Sequence, residues 1–154
     1  MAHETTDRAL PQVAALLRRP DVVIRHEVMA SLQQAGFDDI LPAHLGVFQY
    51  PGPDGQRPGM LAARAEASKQ AMNHLLHQLE SGGYLTRESH PEDRRTRVVR
   101  LTERGWAAAR VIATTTEAMD AEWQQALGAE LSRSLGDALL ELHDVIERHM
   151  ASRR

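Results

Sequence analysis

Ser68, Lys69, Gln70, Asn73 and His74 place five hydrogen-bonding side chains within two turns' length of chain, and a second polar cluster follows at Asp93-Arg94-Arg95. The types match a flat, polar, negatively charged target. The amides of Gln70 and Asn73 donate and accept at once, which suits the edge of adenine, while Lys69 and Ser68 suit phosphate oxygens or guanine. Arg94 and Arg95 suit phosphates or a narrow, electronegative minor groove. Asp93 lies two residues from Arg95, within reach of a carboxylate–guanidinium bond that aims Arg95. As an exposed pair it adds only ~0–1 kcal/mol to stability, so its value is in orientation.

These side chains need elements to hold them. The stretch SKQAMNHLLHQLESGG reads as a helix with Ser68 as N-cap and Met72, Leu75, Leu76 and Leu79 on one buried stripe. Gln70, Asn73, His74 and His77 fall on the opposite side, and Gly82-Gly83 ends the helix. Before it, RPGMLAARAEA reads as a second short helix; after it, YLTRES and TRVVRL flank the HPEDRR tip as a β-hairpin. Two short helices joined by a tight turn and followed by a basic hairpin form a winged helix-turn-helix, in which the second helix enters the major groove of B-DNA and the hairpin lies along the backbone or the adjacent minor groove.

Helices surround this unit. ALPQVAALLRR reads as a short helix ending at Pro20, with Leu10, Val13, Leu16 and Leu17 on one face. Asp21 then caps DVVIRHEVMASLQQAGF, which Gly36 closes. ILPAHLGVFQY carries Pro42 in its first turn, and Pro51 to Gly55 is a loop. Thr102 caps a long helix, Gly128 interrupts it, and Leu131, Leu135, Leu139, Leu142, Ile146 and Met150 recur every three or four residues in the last one. That stripe calls for a partner helix, most simply from a second copy of the chain. The fold class is therefore mainly α with a small β-hairpin (α+β): residues 1–36 and 106–154 are expected to form a helical dimerisation region and 37–105 the winged helix-turn-helix, interleaved in one chain.

Bulk properties bound the function. The 154 residues, 42% apolar, suffice for a single core or two small lobes. With no cysteine, disulfides, thiol catalysis, thiol redox sensing and Cys-based zinc sites are excluded. No export signal or run of 18 apolar residues is present, which points to a cytoplasmic protein without a membrane span. The net charge of -3 conceals a gradient: residues 57–104 hold nine Lys and Arg against six acids, +3, leaving 9 − 15 = -6 for the rest. A local basic face is what a polyanion binder needs. His74 with His77, or His143 with Glu147, have chelating spacings but form incomplete ligand sets, so no metal or other cofactor is expected. His26, His44 and Trp106 could line a pocket between the lobes, but read more simply as ordinary core or edge residues.

SKQAMNHLLHQLESGGYLTRESHPEDRRTRVVRLTERG resembles the MarR family of bacterial winged-helix repressors, in its second helix, its Leu79-Glu80 ending before Gly82-Gly83, its Asp93-Arg94-Arg95 wing and its LTERG join. The resemblance covers Leu61 to Gly105. It implies an obligate homodimer joined by first and last helices, a pseudo-palindromic double-stranded operator, and release of DNA by a small, often aromatic, ligand. Two departures stand out: Glu66 occupies a turn that usually holds Gly, and PQVAALLRRP adds an interrupted helix before the usual first one. Two rival readings remain: a winged-helix module that binds protein without sequence-specific DNA binding, and an enzyme. The enzyme lacks a nucleophile elbow, a phosphate-binding glycine loop and a complete metal motif.

Overall fold

In the computed structural model, residues 12–48, 52–65, 67–90 and 95–152 are described. Apolar residues at helical spacing carry one continuous helix, α1, from Val13 to Gln34, with Val28 and Leu32 buried. This corrects the expected break at Pro20, which lies inside the helix. A proline removes the bond its own N–H would make to Leu16, four positions back, and its ring crowds that carbonyl, yet the helical register here continues past it. Asp21, expected as a cap, instead pairs with Arg25 one turn on, Oδ2 to Nε 3.0 Å. No interrupted extra helix precedes the first long one within the described residues.

A 3-10 turn, Pro42–His44, leads into α2, Leu45–Phe48. Helix α3 runs Pro58–Arg64, and the Ala67 N–H closes back to the Ala62 carbonyl at 3.0 Å before α4, Lys69–Ser81, begins. Glu66 in the intervening turn lies outside the described residues. Met72, Leu76 and Leu79 bury one side of α4, and Leu75 packs against the same core.

Strands β1, Leu85–Ser89, and β2, Arg97–Leu101, pair antiparallel in the register Leu85↔Leu101 to Ser89↔Arg97. The loop before α3 adds an edge to this hairpin: the Gly55 N–H donates to the Val99 carbonyl (2.6 Å), and the Val99 N–H to the Gln56 carbonyl (2.9 Å). Asp54 secures it, accepting from the Leu101 N–H at 2.8 Å and pairing with Arg100 at 3.5 Å. A core of Val28, Leu32, Ile40, Val47, Leu61, Met72, Leu76, Tyr84, Leu85 and Val99 joins α1, α2, α3, α4 and the hairpin. Most of these side chains come from elements flanking α4, so α4 has a rigid back and an open front.

Helix α5 spans Glu103–Leu127. Thr102 ties its start to the end of α4: its hydroxyl donates to the Gly83 carbonyl (2.6 Å) and accepts from the Gly105 N–H (3.1 Å). Gly105 is there because there is no room for more, since a Cβ would lie 1.9 Å from the Tyr84 carbonyl oxygen. The chain divides into two compact units at Thr115/Thr116, the first containing the winged helix-turn-helix. In the second, Gly128 adopts φ 80° between α5 and α6, Ala129–Ala151, a left-handed conformation that side chains disfavour. No residue of α6 is buried; Leu131, Leu135, Leu139, Leu140, Val145 and Ile146 are exposed along it. No helix among the described residues is long and apolar enough to cross a membrane.

Candidate nucleic-acid interface

Helix α4 begins as its sequence requires. The Ser68 Oγ accepts from the Ala71 N–H at 3.1 Å, satisfying one of the orphan donors of the first turn and leaving the hydroxyl proton available. Ser68, Lys69, Gln70, Asn73 and His74 are all exposed, and His77 extends the same side. Gln70 and His77, separated by two turns, are nearly eclipsed on the helix, with Asn73 and His74 to either side. Gln70, Asn73, His74 and His77 are thus brought onto one face, opposite Met72, Leu76 and Leu79, while Ser68 and Lys69 are exposed at the N-terminal end of the helix. A helix of 13 residues is about 20 Å long, enough to lie in a major groove with its first turn at the bases.

Of the wing residues, Arg95 is exposed at the end of the hairpin turn, where the His90 N–H donates to the Thr96 carbonyl at 2.8 Å. Arg94 and Asp93 lie outside the described residues, and with them the proposed Asp93–Arg95 contact. Arg97 reaches back across the hairpin, its Nη1 3.4 Å from the Arg87 carbonyl.

Reading the sequence missed Arg87. Its guanidinium leaves β1 and crosses to α4, with Nη2 donating to the Asn73 carbonyl (3.2 Å) and Nη1 to Asn73 Oδ1 (3.4 Å). Nε lies 3.3 Å from Glu80 Oε2, two turns further along the helix. The available signal was period two: Leu85 is buried, so Arg87 shares its inward side of the strand. A second missed support lies behind α4. Buried His44 accepts the Leu41 N–H on Nδ1 (3.1 Å), which leaves Nε2 as the protonated nitrogen donating to Gln78 Oε1 (3.0 Å). His44 is therefore a satisfied core residue, as expected, while His26 and Trp106 are exposed.

The root of the wing is fixed by an ionic cluster. Arg104 Nη2 donates to Asp39 Oδ1 (3.0 Å) and to the Tyr84 hydroxyl oxygen (2.9 Å), and its guanidinium carbon lies 4.6 Å from the Tyr84 ring centroid. Burial pushes the Asp39 carboxyl up, but hydrogen bonds from Tyr84, its own backbone and Arg104, with the Arg104 charge, outweigh it and hold the group below its ordinary value. Burial and then the bond to Asp39 raise the Tyr84 hydroxyl, and Arg104 is raised first by its bond to Tyr84. No cluster of three or more His, Asp or Glu placed for a metal exists among the described residues.

A family model described as "MarR family" matches residues 50–96, which hold α3, α4 and β1. The HTH-type transcriptional repressor Rv2887 of Mycobacterium tuberculosis is 32% identical over 127 residues, covering 82% of this chain and 90% of the repressor. A solved structure of the M. tuberculosis MarR family protein Rv2887 in complex with salicylic acid is 30% identical, with a TM-score of 0.61 over 87% of this chain and 98% of that one. The same protein in complex with DNA matches at 29% identity and TM-score 0.61, over 86% and 98% of the two chains. The transcriptional regulator Tm0710 of Thermotoga maritima is 30% identical, with TM-score 0.56 over 90% and 96%.

Proposed function

Because this chain belongs to the MarR family, we propose that it is a cytoplasmic, homodimeric transcriptional regulator that binds double-stranded DNA sequence-specifically and represses until a small ligand releases it. The observation that carries the reading is α4: a capped helix, buried behind, with Gln70, Asn73 and His74 exposed in front, Ser68 and Lys69 exposed at its start, and the hairpin beside it. Its nearly whole-length relative Rv2887 has been solved with DNA, which supports the same use here. Ser68, Lys69 and the wing residues Arg94 and Arg95 would hold phosphates or groove edges, with Gln70, Asn73 and His74 reading bases and Asp93 steadying the wing. Residues 1–36 and 106–154 would form the dimerisation region around 37–105. The role is binding, with no reaction assigned.

Rv2887 has also been solved with salicylic acid, so a small aromatic acid is the effector class to try first. Chemistry on the first unit supports it: Phe37, Val111, Arg110 and Thr114 line one shallow groove, offering a ring, an aliphatic wall, a guanidinium and a hydroxyl. The test is selection of bound fragments from random duplex DNA by the purified protein at two salt concentrations, repeated with salicylate. The expected result is an inverted repeat whose half-sites lie about 10 base pairs apart, bound at both salts and released by salicylate. Retention of no preferred sequence would instead favour a protein-binding winged helix.

A further inference from the structure

The contact between Arg87 and Asn73 bears on which bases α4 can read. Arginine offers donors only, so the atom of the Asn73 amide facing the guanidinium must be its oxygen. The amide nitrogen then turns away from the wing root, toward the exposed side shared with Gln70 and His74. The guanidinium has little freedom to leave. It is anchored to the Asn73 carbonyl at 3.2 Å, sits beside Glu80 at 3.3 Å, and its buried Nε already lacks a hydrogen bond of good geometry. Asn73 Oδ1 completes this arrangement at 3.4 Å, accepting from a charged donor, which holds the amide oxygen better than a neutral partner would.

We propose that Arg87 is a specificity-positioning residue: by holding Asn73 Oδ1 against the root of the wing, it presents the Asn73 amide to the major groove as a donor. Position 73 then favours two adjacent acceptors, the O6 and N7 of guanine, over an A·T pair, whose acceptors, adenine N7 and thymine O4, stand singly on either side of the adenine amino group. The two-way pair with adenine, which the sequence alone suggests for an asparagine, needs the oxygen as well. The proposal rests on the reading of α4 as the helix that enters the groove.

The experiment takes the full-length protein and the site it selects from random DNA, and measures affinity for every single-base variant of that site. Wild type should prefer a G·C over an A·T pair at one position of each half-site by about tenfold. Asn73→Ala and Arg87→Met should each flatten that position while leaving discrimination at the others, and the double variant should be no flatter than either alone. Loss of fold in Arg87→Met would dull every position together. For that case Asn73→Asp keeps an acceptor for Arg87 but removes the donors, and should move the preference to cytosine, whose amino group donates. An A·T pair preferred at that position in wild type, or a preference that survives both Arg87→Met and Asn73→Asp, overturns the proposal and leaves α4 as the reading helix. A wild-type protein with no preferred sequence overturns it by removing the reading beneath it.

Discussion

The Tyr84 hydroxyl donates to Asp39 Oδ1 across 45 positions of sequence, joining the entry to β1 with the loop that follows α1. Arg104 at the start of α5 bonds both oxygens, so three elements meet where the wing is rooted. Rigidity there sets how far the hairpin can swing relative to α4.

Tyr84→Phe should therefore destabilise the protein by about 1 kcal/mol at neutral pH, the net worth of one hydrogen bond to a charged partner after partial exposure is allowed for. The pH dependence has a definite sign. Asp39 is held below its ordinary 3.8, so its contribution is present above that pH and is lost as pH falls through the folded-state value. Tyr84 is raised above its ordinary 10.0, so its contribution is present below that pH and disappears as pH rises through the folded-state value. Urea unfolding of wild type and Tyr84→Phe should show a difference that is level between these limits and shrinks below pH 3.8. A difference that persists unchanged into acid would mean that the hydroxyl matters only for packing.

Gly105→Ala should be far more damaging than its size suggests. The added methyl would sit 1.9 Å from the Tyr84 carbonyl oxygen, which is backbone and itself accepts from the Thr102 N–H at 3.1 Å. Relief requires α5 to move off β1, at a cost of about 3 kcal/mol or more. Thermal unfolding should register it as a large drop in Tm or as loss of soluble protein. An unaltered Tm would show that α5 and β1 are less tightly apposed than this.

Ser68 has two roles that substitution can separate. Ser68→Ala removes the cap of α4 and should cost about 1 kcal/mol. Ser68→Asp caps as well as serine and should restore the stability, yet it places a negative charge where phosphates would approach. The expected pattern is stability lost and regained across the pair while DNA affinity falls in the Asp variant at low salt. Equal DNA affinity for wild type and Ser68→Asp would remove position 68 from the interface.

Much of this was legible in the sequence. The stripe Met72-Leu76-Leu79, the Ser68 cap, the hairpin and the Thr102 start all follow from periodicity and capping chemistry, which act between near neighbours. What escaped depends on distant partners. Pro20 looked like a stop because proline is one in isolation, yet the helix runs through it to a C-terminal half held by Val28 and Leu32. Gly55 and Gln56 are too few to read as a strand, and only the free edge of β2 recruits them. Arg87 sat unremarked among other arginines because nothing local says that its target lies on α4.

Arg95 and Asn73 should fail in different ways. Arg95, exposed at the turn, would hold the sugar–phosphate backbone, so Arg95→Ala should weaken binding to specific and random duplexes alike and lower the salt slope by about 1. Asn73→Ala should relax one base position by ~1–3 kcal/mol and leave the slope nearly unchanged. The paired measurement is affinity against salt concentration for a specific and a scrambled duplex. If Arg95→Ala affected the specific duplex alone, the wing would be reading sequence.

The exposed stripe of α6 bears on assembly. Leu131, Leu135, Leu139 and Ile146 recur at helical spacing and stand open in the single chain, an arrangement that water penalises unless another apolar surface covers it. Covering by a second copy places two α4 helices under one two-fold axis, and linkage between half-sites then multiplies affinity without any new base contact. Leu135→Glu with Leu139→Glu should leave the fold of the first unit intact, since both residues lie on the second. Light scattering should find wild type at twice the mass of one chain and the double variant at the mass of one. DNA affinity for the full inverted repeat should fall about 100-fold, while affinity for a lone half-site should barely change. A double variant that keeps the dimer mass would show that α6 is not the clasp.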